Sequence, residues 1–290
     1  MSLPDMSLKV IDSVSDPGIP AKPNDDRLGY NACCAFVIDG ATGLGDDVLS
    51  PEFGSDAAWL AEQARLMLER QVAPDSDLEM LLADFSRDAR AFFEAAAAPP
   101  RYAWPSASFA MLRKAVDSWE FAGLGDCSLF LRQDDGTTSR HSALAHARGQ
   151  EQASARRHIA LTGGFGKVAS FHRQPETLAA LRQARQLQNT EESGVWTLGL
   201  VPEAARHLVR QPLQVSAPAT GLLCSDGFAD LVDSYGRYSA AALIDAAKSH
   251  GVKALVEEIR TIERKVDPDG LTYPRFKQSD DATALLVELG

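Results

Sequence analysis

The chain has 290 residues, a formal net charge of −11 and four cysteines, with 45% hydrophobic and 24% charged residues, the balance of a water-exposed globular protein able to bury a sizeable core. The acidic excess argues against nucleic acid as a partner, because phosphate backbones are gripped by basic surfaces. No apolar run reaches membrane-span length, Met1 to Val10 lacks the basic and apolar regions of a secretion signal, and the cysteines show neither a disulfide framework nor a Cys-x-x-Cys spacing, so the expected setting is the cytoplasm, with no membrane partner.

In chain order, a β-branched and aromatic run predicts a strand over Cys33–Ile38. Helical periodicity follows over about Ser55–Arg70 and Asp77–Ala97, with Pro99-Pro100 closing the second helix. Strands are predicted at Ser108–Arg113, Ser118–Ala122 and Ser128–Arg132, the last leading into an Asp134-Asp135-Gly136 turn. Between Ser139 and Gln186 the charge reverses: Arg140, Arg148, Arg156, Arg157, Lys167, Arg173, Arg182 and Arg185 face only Glu151 and Glu176. That stretch is either a solvated face or a positive flank that draws anionic substrates in. Leu161–Lys167 lacks the spacing of a phosphate-binding loop and reads as a turn, and Trp196 reads as core. A strand at Gly221–Cys224, helices at Ala240–His250 and Val252–Lys265 broken at Gly251, and a strand at Thr283–Glu288 complete the pattern. Short turns between strands favour antiparallel pairing, giving an α+β chain of sheets packed together and covered by helices.

Aspartates recur where strand-like runs give way to polar turns: Asn24-Asp25-Asp26-Arg27, Ile38-Asp39-Gly40-Ala41, Ser225-Asp226-Gly227 and Ser279-Asp280-Asp281-Ala282-Thr283. A carboxylate at the rim of a core is costly unless it is paired or bound to a cation. Any one of these fits a turn or helix cap. The set points to a hard divalent metal, because it offers oxygen ligands with no histidine or cysteine ligand beside them.

The order Asn-Asp-Asp, Asp-Gly-x-x-Gly, Gly-Asp (Gly125-Asp126), Ser-Asp-Gly and Asp-Asp-x-Thr resembles that of the metal-dependent protein phosphatases of the 2C type, the PPM family, from about Pro20 to Leu289. The resemblance implies an αββα sandwich of two antiparallel sheets flanked by helices, one phosphatase domain over residues 1–290, and two Mn²⁺ or Mg²⁺ ions in a cleft at one end of the sheets. It also implies roles. Asp26 contacts both metals through itself or bound water, Asp25, counted with the metal-site residues, stands where the family usually has Glu, Asp39 bridges the ions, and the Gly40 carbonyl is a further ligand. Asp226 and Asp280 complete one shell, Asp281 takes the place of a neighbouring Asn or Asp, and Asp126 with Asp226 holds a weaker third ion.

Two positions depart from the family's pattern. Ala41 stands where a general-acid histidine often follows Asp-Gly, and Ala21 stands where an Arg often precedes the first acid. Lys22 and Arg27 are left as candidates for gripping substrate phosphate. The expected activity is hydrolysis of phosphoserine or phosphothreonine in proteins by direct attack of a metal-activated water. An impaired phosphatase-like binding module, and a phosphatase of a small phosphorylated metabolite, stay open from sequence.

Overall fold

The computed structural model describes residues 7–41, 43–116, 118–144, 155–157, 159–160, 163–165 and 175–290. One sheet has five strands: β1 (Leu8–Asp16), β6 (Ser128–Arg132), β7 (Thr138–Ser142), β10 (Ala219–Cys224) and β11 (Ala282–Leu289), in the order β1-β11-β10-β6-β7. The other runs β2-β3-β4-β5-β9, formed by β2 (Arg27–Tyr30), β3 (Cys34–Ala41), β4 (Ser106–Lys114), β5 (Trp119–Leu124) and β9 (Val209–Leu213), with the short β8 (Leu198–Gly199) also paired to β4. Each pairing is antiparallel.

The central strands are apolar on both faces, and the two sets of side chains go to different layers. On β3, Phe36 and Ile38 join α1 (Asp56–Gln71) and α2 (Leu78–Ala96) in one outer core. Ala35 and Val37 point the other way and meet Leu129, Leu223, Leu285 and Val287 of the opposite sheet. On β11, Ala284 and Leu286 face the second outer core, built with α4 (Asp226–Asp233), α5 (Ala240–His250) and α6 (Val252–Thr261). A period of two with both phases apolar specifies a strand buried on both sides. The result is helices, sheet, sheet, helices: the expected αββα sandwich.

Local signals fix the helix ends. Ser55 and Asp77 cap α1 and α2 by accepting from the backbone N–H of Ala58 and Met80. Gly251, at φ 81°, makes the predicted break between α5 and α6. The predicted Val252–Lys265 helix is shorter than expected, changing at Ile262 into a π-helical turn over Ile262–Val266. Several elements escaped the periodicity reading: β1, β2, β7, β8, β9, α4 and a helix α3 at Pro175–Leu187. All four cysteines are free and buried, as expected of small apolar side chains. Among the described residues, no helix is long and apolar enough to cross a membrane.

Candidate active site at the ends of the two sheets

The carboxylates come from both sheets. Asp39 lies on β3 opposite Ser108 of β4, while Asp226 opens α4 directly after β10, and Asp280 and Asp281 lead into β11. The ends of β10 and β11 are tied together: Ser225 N–H donates to the Thr283 carbonyl and Thr283 N–H to Ser225 Oγ, both at 3.0 Å. A Cβ on Gly227 would collide with the Asp281 carbonyl, so the Ser-Asp-Gly glycine serves close backbone approach. Gly40 plays the same part in the other sheet, where a Cβ would lie 2.5 Å from the Asp25 carbonyl.

The loop bearing Asp25 and Asp26 is held from several directions. Asn24 Oδ1 accepts from Asp26 N–H (2.9 Å), and Asp281 accepts from Asp25 N–H (2.7 Å) and Gly18 N–H (3.0 Å). Ser55 Oγ, the cap of α1, donates to Asp25 Oδ1. Arg27 is turned inward, donating to Glu62 (3.0 Å) and to the carbonyls of Asn24 (2.8 Å) and Asp26 (2.7 Å). Its guanidinium therefore braces the loop. Lys22 is exposed. Asp126 follows Gly125, whose φ of 79° turns the chain out of β5.

Electrostatics binds the set together. Burial, then the charge of Asp281, pushes the Asp26 carboxyl up to about 7, against hydrogen bonding from Ser225. Asp39 is held well above the usual carboxylate range by desolvation, then by Asp226, Asp26, Asp126 and Asp280. Asp226 is raised by desolvation and by Asp126, Asp280 and Asp230, with a hydrogen bond shared with Asp39 working the other way. Asp26 Oδ2 is buried with no hydrogen-bond partner. Burial and like charge both disfavour the ionised carboxylates here, and a bound cation is what would offset them.

The residues fit a hard divalent ion by donor chemistry, offering carboxylate and carbonyl oxygens, one of them buried and unpartnered. Among the described residues, no three His, Cys, Asp or Glu side chains already form a closed set of ligands. Mutual repulsion between carboxylates accounts for an open arrangement. The structure thus brings Asp26, Asp39, Asp126, Asp226 and Asp280 into one electrostatic group, with Asp25 and Gly40 in backbone contact beside it. Sequence reasoning missed Asp230, one helical turn after Asp226 on α4, and Lys277, whose ammonium donates to Asp280 Oδ1 at 2.7 Å. The i, i+4 spacing of Asp226 and Asp230 was a readable signal once a helix is placed there.

Elsewhere, Trp196 is half-buried, packs on the α1/α2 core and stacks on His207. In the basic segment, Arg140 pairs with Asp233, Arg182 reaches Leu44 and Asp46, and Arg185 donates to Ser106. Gly163 and Gly164 form the expected turn at positive φ, while Leu161, Thr162, Gly166 and Lys167, like Arg148 and Arg173, lie outside the described residues.

The sequence matches no family model and no curated protein. Solved structures are similar in fold over nearly the whole chain. The serine/threonine phosphatase PstP/Ppp of Mycobacterium tuberculosis superposes with a TM-score of 0.55 at 15% identity, covering 97% of this chain and 98% of that one. The PPM Ser-Thr phosphatase MsPP of Mycobacterium smegmatis, solved with cacodylate, gives 0.54 at 17% identity, over 97% and 100%. The catalytic domain of PstP in complex with two manganese ions gives 0.51 at 15%, over 98% and 99%. The chain has the fold of the PPM-type phosphatases.

Proposed function

We propose that this chain is a metal-dependent phosphoric-monoester hydrolase that removes phosphate from phosphoserine and phosphothreonine in proteins, acting as one unit over residues 1–290 in the cytoplasm. The observation that carries the reading is the contact of Asp39 with Asp226 inside a group of carboxylates whose burial and like charge raise Asp26, Asp39 and Asp226, beside an unpartnered Asp26 oxygen. Strongly perturbed acids gathered at one rim mark functional sites more often than structural ones. Free, buried thiols suit a reducing compartment. The fold shared with PstP, whose catalytic domain was solved with two manganese ions, supports the choice of metal.

In this reading Asp26, Asp39, the Gly40 carbonyl, Asp226 and Asp280 would hold two Mn²⁺ or Mg²⁺ ions, with Asp126 and Asp226 holding a weaker third. When bound, such ions supply an activated water and stabilise charge on the transferring phosphoryl group. Asp281 and Ser55 hold the Asp25–Asp26 loop in place, and Arg27, paired with Glu62, braces it through the Asn24 and Asp26 carbonyls. Lys22, exposed and three residues before Asp25 in the chain, is the second candidate for meeting an anionic substrate, though among the described residues nothing anchors its side chain at the carboxylates. Ala41 gives no proton to the leaving oxygen, so esters with acidic leaving groups are the better substrates. The test is hydrolysis of a phosphothreonine peptide with Mn²⁺ against a chelator control. Turnover at full rate in dialysed, chelated protein would overturn the two-metal reading.

A further inference from the structure

We propose that Lys277 is the cation that receives the substrate's phosphate group at the rim of the carboxylate site. This rests on the hydrolase reading above and deepens it.

The first argument is charge balance. A phosphomonoester is a dianion near neutral pH, and it must approach a group of carboxylates that already repel one another. Two divalent ions supply four positive charges against Asp26, Asp39, Asp126, Asp226 and Asp280, which supply five negative ones if all ionise. An entering dianion therefore meets no net attraction from that set, and a fixed cation at the rim is what the site lacks. Arg27 does not provide it, because its guanidinium is spent on Glu62 and on the carbonyls of Asn24 and Asp26. Among the described residues, Lys277 is the one cation in an ion pair with a member of the group.

The second argument is placement. The Lys277 side chain is 58% exposed, and its ammonium bonds Asp280 Oδ1 at the edge of the carboxylate group. An ammonium has three donors, and one bond to Asp280 leaves two for phosphate oxygens. The turn that carries it is fixed rather than loose. Arg275 Nε donates to the Gln278 carbonyl (3.0 Å) while its other nitrogens reach Asp267 Oδ2 (2.9 Å) and the Asp267 carbonyl (2.6 Å), bracketing Lys277 between two anchored residues. On the far side, Gly18 packs on the backbone of Ser279 and Asp280 so closely that a Cβ would lie 2.5 Å from the Asp280 carbonyl. Such anchoring is characteristic of a positioned binding group, since fixing an ammonium beforehand lowers the entropy lost on binding.

The experiment uses the full chain loaded with Mn²⁺, as wild type, Lys277→Ala, Lys277→Gln and Lys277→Arg, each checked by thermal melting. Inorganic phosphate binding is measured by calorimetry, and KM and kcat with a phosphothreonine peptide. Loss of one charge-assisted contact predicts about tenfold or more weaker phosphate binding in the Ala and Gln variants. KM should rise in the same proportion, kcat should change less, and Arg should restore most of both. Mn²⁺ affinity without phosphate should be equal or tighter in the Ala variant, because a competitor for Asp280 is gone. Unchanged phosphate affinity in Lys277→Ala, whatever happens to Mn²⁺, would overturn the proposal and leave Lys277 a counter-charge for Asp280. No phosphate binding by the wild type would overturn it too. If the wild type binds phosphate through Lys277 yet hydrolyses no phosphomonoester, the hydrolase reading falls and the anion-receiving role stands.

Discussion

Asp26 and Asp267 are both buried, 1% and 4% exposed, yet their surroundings treat them in opposite ways. Asp267 closes the turn after the π-helical segment: Oδ1 accepts from the N–H groups of Leu271 and Thr272, and Oδ2 from Tyr273 N–H and the Arg275 guanidinium. Burial alone would raise its pKa, but hydrogen bonds from Thr272 and Tyr273 and the pair with Arg275 bring it below the usual value. Asp26 has a buried oxygen with no partner and neighbours of its own sign, and it is raised to about 7. A carboxylate that the fold needs for itself is satisfied by the protein. One that the fold leaves unsatisfied is reserved for something that comes from outside.

The sharpest way to break this contrast is at the reserved carboxylates. Asp39→Asn or Asp226→Asn should cut metal-dependent turnover by about 10³-fold or more, while the metal-free protein melts no lower than wild type because repulsion is relieved. Kinetics beside melting curves decide it, and near-normal turnover would remove that residue from the site. Asp267→Ala should do the reverse. Stranding Arg275, whose side chain is 10% exposed, predicts a loss of about 3 kcal/mol in stability, read from urea unfolding.

Acid and base should separate the two classes in the unmodified, metal-free chain. The folded-state pKa of Asp26, about 7, lies above its ordinary value of 3.8, so the fold holds the extra proton and stability falls as pH rises from about 4 to about 7. Asp267, depressed in the fold, contributes stability that is complete above its ordinary value and is lost as pH drops through the folded one. Unfolding in chelator across that range should show the decline, and added Mn²⁺ should remove it. A flat profile in chelator would mean that Asp26 ionises in the fold as it does in the unfolded chain, and that its carboxyl is not raised. The smallest effect is expected at Ser55, which caps α1 and also donates to Asp25. Ser55→Ala should cost about 1 kcal/mol by calorimetric melting.

Much of this was legible in the residues. Buried strands such as β3 and β4 announce themselves because both faces are apolar, and Ser55 and Gly251 mark helix ends by chemistry that works locally. β1 was not found because its alternation is broken: Val10 and Ile11 are adjacent apolar residues at a register shift, after which Val14 packs on the outer core while Leu8 and Val10 pack between the sheets. Its pairing with β11 supplies what its own composition does not. β9 carries Pro212, which reads as a break and is tolerated at the edge of the sheet. α4 was hidden because Ser225-Asp226-Gly227 has turn chemistry, although Ser225 stands at the helix start. The aspartates were readable by type and order. Lys277 was not, since a lysine three residues before an aspartate carries no signal until the loop is folded around Arg275.

Asp39 belongs to one sheet while Asp226 and Asp280 are delivered by the other, and between the sheets lie Val37, Leu223 and Leu285. The interior apolar layer is therefore a calliper. Its thickness, set by methyl and methylene volumes packed about 10 Å deep, fixes how far apart the two jaws of oxygen ligands stand. Ions that differ by tenths of an ångström in their preferred bond lengths would then be told apart by hydrocarbon that never touches them.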